Sequence, residues 1–205
     1  MDWYDRHVLP RLIDCACSAK PVRKQREKIV PRARGDVLEI GMGSGLNLPY
    51  YDRNQVSHIW GLEPSEEMRH KARQRLADTE LPCDFIDLPG EEIPLEDNSV
   101  DTVLVTYTLC TIADPVAALL GMRRVLKPGG QLLFCEHGRA PDPGVQKWQD
   151  RINGTWCRLA GGCNINRDIP TLLSAGGFRV VDEERMYIPG VRILSYNYWG
   201  AASAR

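Results

Sequence analysis

The 205-residue sequence has no run of 18 apolar residues, so it lacks the roughly 20-residue helix that spans a bilayer. Its opening stretch, MDWYDRHVLP, carries charge from the second position and has no apolar leader, so the expected location is the cytoplasm. Charge of one sign is missing too: the formal net charge is −1, which gives no global attraction to nucleic acid. The seven cysteines form an odd set with no C-x-x-C pair, a spacing that suggests neither a disulfide framework nor a zinc site. The expectation is reduced thiols and no metal. Linkers, low-complexity tracts and internal repeats are absent, which leaves a single domain over 1–205.

What is present is the composition of a globular protein with a real core, 43% hydrophobic and 26% charged. One segment departs from the charge balance. Residues 20–34, KPVRKQREKIVPRAR, hold seven basic residues and one acid, a net +6 that leaves −7 for the rest. A solvated helix face and a docking surface for an anionic lipid or acidic substrate are both compatible with it, so peripheral membrane contact through 20–34 is an expectation.

Along the chain, residues 3–30 read as helical, broken at Pro10 and near Pro21, and form an appendage over 1–34. A core over 35–138 then alternates strands (DVLEI, VSHIWGLE, CDFIDL, SVDTVLVTYTL, GQLLFCEH) with helices, one of them expected straight after Gly45 and another opened by Ser65. Such alternation implies a mostly parallel, doubly wound α/β sheet. Residues 139–205 supply a helix, a loop with a short helix ended by Gly176 and Gly177, and a closing strand pair.

The glycines of DVLEIGMGSGLNLPYY, residues 36–51, sit where the first strand turns. In a parallel α/β sheet that is the ligand end, and glycine there lets backbone approach a ligand with no Cβ between them. A dinucleotide fingerprint needs a third glycine where Leu46 or Leu48 stands, and a phosphate loop needs a lysine that is absent. The motif is E-x-G-x-G-x-G, with Glu39 in the strand. An acid there suits a cationic ligand such as S-adenosylmethionine, which has a sulfonium, an amino group and no phosphate. Glu63, ending the second strand, can accept hydrogen bonds from both hydroxyls of a ribose.

VLEIGMGSGLN, GLEPSEEM, EEIPLEDNSVDTVLVTYTLCTIADP and RRVLKPGGQLLFCEH resemble, in order, the successive motifs of class I S-adenosylmethionine-dependent methyltransferases over about residues 36–138. The resemblance implies a Rossmann-like sheet of about seven strands with the last antiparallel and helices on both faces. It also implies that Glu39, Gly41, Gly43, Gly45 and Asn47 surround the methionine part of the cofactor. By the same likeness Glu63 holds the ribose, Pro64 and Met68 flank the adenine, Gly90 and Glu91 read its amino group, and Thr106 faces the methionine end. Pro89 stands where the family usually has an acid. The product would be S-adenosylhomocysteine.

A hydroxyl or carbon acceptor usually needs a protein base, whereas a thiolate or free amine does not. His137, at the strand end CEH, is the candidate catalytic residue; Tyr4 and His7 are candidates to close over the cofactor, and Cys110 is expected in packing. The stretch KWQDRINGTWCRLAGGCNINRDIPTLL resembles the matching part of animal methyltransferase-like proteins that S-methylate small thiols, which makes Trp148, Trp156 and Asn164 candidates for the acceptor pocket. The expected function is methyl transfer to a small or lipophilic acceptor, a thiol among the candidates. Phospholipid (phosphatidylethanolamine-type) or quinone methylation is the alternative. A protein that binds S-adenosylmethionine without turnover is the alternative of a different class.

Overall fold

The computed structural model describes residues 9–205, and Tyr4 and His7 lie outside the described residues. Seven strands form one sheet: β1 (Gly35–Ile40), β2 (Val56–Leu62), β3 (Cys83–Ile86), β4 (Val100–Thr106), β5 (Leu126–His137), β6 (Phe178–Tyr187) and β7 (Tyr196–Ala204), in the order β3-β2-β1-β4-β5-β7-β6. β1 to β5 pair in parallel, and β7 inserts antiparallel between β5 and β6. The strand order reverses at β1 and β4, which in open α/β sheets marks the ligand crevice.

Among the described residues six α-helices accompany the strands: α1 (Leu9–Cys17), α2 (Lys20–Ile29), α3 (Glu66–Leu76), α4 (Pro115–Val125), α5 (Pro143–Leu159) and α6 (Ile169–Ala175). Two of their starts follow directly from capping chemistry. Ser65 accepts from the Met68 N–H at the head of α3, and Asp114 accepts from Val116 and Ala117 at the head of α4. The period of two along the central strands sorts the core into two layers. Leu38, Ile40, Val103, Val105, Leu132 and Phe134 pack with α4 and α6 on one face. Val37, Leu104, Leu133 and Cys135 pack with α2 and α3 on the other.

Two local readings of the sequence are corrected. No α-helix follows Gly45: the chain makes a single 3-10 turn at Leu48–Tyr50 and proceeds to β2. Pro49 has no N–H to continue a helix, and the Asn47 side chain is drawn inward by Glu39 and Thr106. KPGG, residues 127–130, is an irregularity inside β5 and not a turn ahead of it, since the register to β4 shifts between Val100 and Thr102.

Candidate functional site

At the carboxyl ends of β1, β2 and β4 lies a cavity of about 690 Å3, a size suited to a small-molecule ligand. Gly41, Gly43, Glu63, Pro64, Met68 and Thr106 line it, while Leu9, Ile13, Asp14 and Cys17 of α1 supply part of its wall. The leading helix is tied to the glycine loop through Asp14, which accepts a hydrogen bond from the Ser44 hydroxyl and stands 3.5 Å from the Arg75 guanidinium. A second depression, at the opposite end of the sheet, is edged by Arg123, Arg124, Lys127 and Arg179. Ligands of open α/β sheets bind at the strands' carboxyl ends, which selects the first cavity.

The glycines divide the work. All three have positive φ, and a Cβ on Gly41 would lie 2.3 Å from the Thr108 side chain, so that position is needed for packing. A Cβ on Gly43 would meet nothing nearer than a carbonyl 3.9 Å away; it would project into open cavity, the space a ligand takes. Gly43 N–H donates to Glu63 Oε2 at 3.0 Å and Ser65 N–H to Oε1 at 2.8 Å. Each carboxylate oxygen keeps a second lone pair for a ribose hydroxyl. Burial raises Glu63 above the ordinary carboxylate value, against the lowering by those two N–H groups.

Glu39 does not line the cavity; it is buried behind it and braces its wall. Asn47 Nδ2 donates to Glu39 Oε1 at 2.8 Å and the Tyr51 hydroxyl to Oε2 at 2.6 Å. Burial pushes Glu39 up to about 7 against those two hydrogen bonds. Asn47 in turn accepts from Arg26 Nη1 at 2.8 Å, and the same nitrogen donates to Thr106 Oγ1 at 2.7 Å. Gly45 packs against Leu48 and Ala72.

Arg26 is the residue that the sequence reading missed. It belongs to the +6 segment, yet its side chain is buried, lines the cavity and leaves Nε without a partner among the described residues. A desolvated guanidinium needs an acceptor, and the carboxylate of an amino-acid tail fits it. The segment therefore is not one uniform face: Arg32 pairs with Asp182 at 2.6 Å, while Lys20, Arg23 and Lys24 stay exposed.

The remaining predicted residues scatter. Gly90 packs under Ile112 and Ile40, and Glu91 accepts from the Asp114 N–H at 3.2 Å; neither lines the cavity. Trp148 is 56% exposed on α5. Asn164 fastens a loop, donating to the carbonyls of Cys110 at 3.1 Å and Gly162 at 2.9 Å. His137 and Trp156 instead meet at a cluster behind the cavity wall. Cys163 Sγ stands 3.3 Å from His137 Nε2, and Cys110 completes a group whose Sγ and ring-nitrogen atoms all lie within 4.8 Å of one another. Cys110 thus has a place beyond packing. Trp156, whose buried indole N–H has no geometric partner among the described residues, stands beside Cys163.

The electrostatics of that cluster are coupled. The Cys110 thiol and the His137 ring hold Cys163 well below the ordinary thiol value despite burial. Burial lowers His137, but its hydrogen bond to Cys163 outweighs this and leaves it raised. Next to it, Glu136 is fully buried, takes the N–H groups of Thr108 and Leu109 on Oε1, and has no partner for Oε2 among the described residues. No C-x-x-C spacing announces this gathering; strand-end placement of CEH was its one visible trace.

Residues 38–134 match the family described as a methyltransferase domain. The mitochondrial methyltransferase OMS1 of Saccharomyces cerevisiae is 29% identical over 80% of this chain and 38% of its own length. The human thiol S-methyltransferase TMT1B is 31% identical over 75% of this chain and 64% of its own. A SAM-dependent methyltransferase from Leishmania major shares the fold with a TM-score of 0.72 at 19% identity, over 98% of this chain and 80% of that one. The chain spans between 38% and 64% of the length of these two curated relatives. Strand order, matched residues and relatives together make the core of this chain similar to class I methyltransferase domains. The methyl donor of such domains is S-adenosylmethionine.

Proposed function

We propose that the chain methylates the sulfur of a small thiol. S-adenosylmethionine, when bound, supplies a methyl group made electrophilic by its positively charged sulfur. The residues of the cavity fit that donor: Glu63 for the ribose hydroxyls, Pro64 and Met68 beside the adenine, the open face of Gly43 under the chain linking them, and Arg26 for the amino-acid carboxylate. α1 forms part of the cavity wall and would help fix the donor's orientation, a source of up to ~7–11 kcal/mol in well-aligned reactions.

The acceptor class is carried by what the wall near Thr106 lacks. Tyr107, Thr111, Cys17 and Gly161 stand there, and burial pushes both the Tyr107 hydroxyl and the Cys17 thiol up, away from the range of a neutral-pH base. Hydroxyl and carbon acceptors depend on such a base; a thiol is a few per cent thiolate at neutral pH without one and is intrinsically nucleophilic. The likeness to a named thiol S-methyltransferase supports the same reading. The test is incubation of the purified chain with S-adenosylmethionine and 2-mercaptoethanol, with phosphatidylethanolamine vesicles in a parallel reaction. The expected products are the S-methyl thioether and S-adenosylhomocysteine; methylation of the lipid alone would defeat the thiol reading.

A further inference from the structure

The cluster behind the cavity wall has the geometry of a metal site. Tetrahedral zinc, with bonds of about 2.3 Å to sulfur and 2.0–2.1 Å to nitrogen, spaces its sulfur and nitrogen ligands about 3.5 Å apart and its sulfurs about 3.8 Å apart. Cys163 Sγ and His137 Nε2 are 3.3 Å apart, and the three ligand atoms of Cys110, His137 and Cys163 lie within 4.8 Å of one another. One edge of a tetrahedron, Cys163 to His137, is therefore at ligand separation before any ion enters, and the Cys110 sulfur lies no more than 4.8 Å from either.

The scaffold holds them there. His137 ends β5, whose neighbours on both sides are sheet strands. The two cysteine loops are clamped together, since both the backbone N–H and the side-chain amide of Asn164 donate to the Cys110 carbonyl, at 2.8 and 3.1 Å. Glu136, the neighbour of His137, is buried, and its Oε2 lacks a partner among the described residues. A buried carboxylate oxygen with no donor is costly unless a positive charge is near.

Among the described residues no fourth histidine, cysteine or carboxylate joins the group. Closed structural zinc sites use four protein ligands, whereas sites with three keep a position for substrate. Each ligand adjoins a residue of the cavity wall. Tyr107 stacks with His137 at a ring separation of 6.4 Å, Thr111 follows Cys110, and Gly161 precedes Cys163 by two residues.

We propose that Cys110, His137 and Cys163 bind a zinc ion whose open fourth position takes the acceptor's sulfur. The second half of this statement rests on the thiol reading above; the first does not. An acceptor thiol binding the ion releases its proton to solvent and is held as thiolate, since coordination deprotonates a thiol. Its sulfur then forms the new S–CH3 bond as the donor's carbon–sulfonium bond breaks. The product thioether is neutral, a weaker ligand than a thiolate, and departs.

The test measures metal in the full chain by elemental analysis and titrates the metal-stripped protein with Co2+, whose thiolate bonds give charge-transfer absorption. About one zinc per chain and that absorption are expected, with Cys110→Ser and Cys163→Ser each lowering zinc retention at least ~10-fold. S-adenosylhomocysteine binding by both variants within ~2-fold of the unaltered chain would show the donor half still folded. A chain that methylates 2-mercaptoethanol with no zinc, no Co2+ absorption and no sensitivity to chelator overturns the proposal. So does isolation with Cys110 and Cys163 joined in a disulfide that gives full activity. A chain that holds zinc through these residues but leaves thiols untouched sustains the ion and removes the thiol reading.

Discussion

The two ends of the cavity are built from different materials. At the donor end, backbone does the holding: a turn of positive-φ glycines, and one carboxylate fixed by the N–H groups of Gly43 and Ser65. At the acceptor end, side chains do it: Tyr107, Cys17 and, behind them, a buried sulfur–imidazole group. Backbone geometry leaves little freedom to substitute, because a glycine in the left-handed region has no equivalent. Side-chain chemistry can be exchanged without unfolding the loop. On the proposed reading, the donor end is suited to one ligand, and the acceptor end is where a choice of substrate can be made.

The sharpest way to break that division is Gly43→Val. A branched side chain at φ +59° would both strain the turn and project into the open cavity. Calorimetry should show S-adenosylhomocysteine binding abolished, with zinc retention at the other end unaltered. Binding at the unaltered affinity would mean that the ligand lies elsewhere.

Next in size is a pH effect that belongs to the brace between the two ends. Glu39 titrates at about 7 in the fold against an ordinary 4.5, so the native state holds the proton more tightly than the unfolded chain does. Stability should be greatest below pH 4.5 as far as this group is concerned. It should then fall as pH rises from there to about 7, by up to about 3 kcal/mol. Denaturant unfolding across pH 5–8 for the unaltered chain and for Glu39→Gln tests the assignment, since the variant should show the shallower dependence. Equal slopes would remove Glu39 from the account.

Glu63→Ala should cost about 2 kcal/mol of cofactor affinity, roughly thirtyfold in Kd, by losing a charge-assisted hydrogen-bond pair. The same variant should leave zinc content unchanged. A folded Glu63→Ala chain with unaltered affinity would defeat the ribose assignment.

How much of this was legible differs between the two ends for a physical reason. The donor end is local in sequence: DVLEIGMGSG carries its strand and turn together, and Glu63 ends the very next strand, so period, glycine spacing and strand-end position suffice. The strand order follows from alternation in the same way. The rest of the cavity and the cluster behind it are made by chain crossings. Arg26 comes from a segment whose charge count reads as surface, because the count does not see that α2 buries one face against β5 and β7. Cys110 and Cys163 belong to two separate connections and His137 to the end of β5, and only the closing of the sheet brings them within reach. Glu91 was misplaced for a related reason: several acids stand together in GEEIPLED, and the nearby Asp114 N–H engages one of them.

The smallest expected effect concerns the two tryptophans of α5. They are eight residues apart on one helix and looked equivalent as acceptor-pocket candidates, but the fold separates them. Trp148 is 56% exposed, with the Arg151 guanidinium 5.5 Å from its ring centre, and touches neither cavity nor cluster. Trp148→Ala should change stability by no more than ~0.5 kcal/mol, as exposed substitutions do, and should leave the KM for a thiol unchanged. Trp156 keeps its indole N–H buried beside Cys163, so Trp156→Phe, which preserves the ring and deletes the donor, should alter thiol turnover while S-adenosylhomocysteine affinity stays constant. A KM effect from Trp148 equal to that from Trp156 would show that the acceptor enters along the outer face of α5, and the boundary drawn between the two ends would have to move.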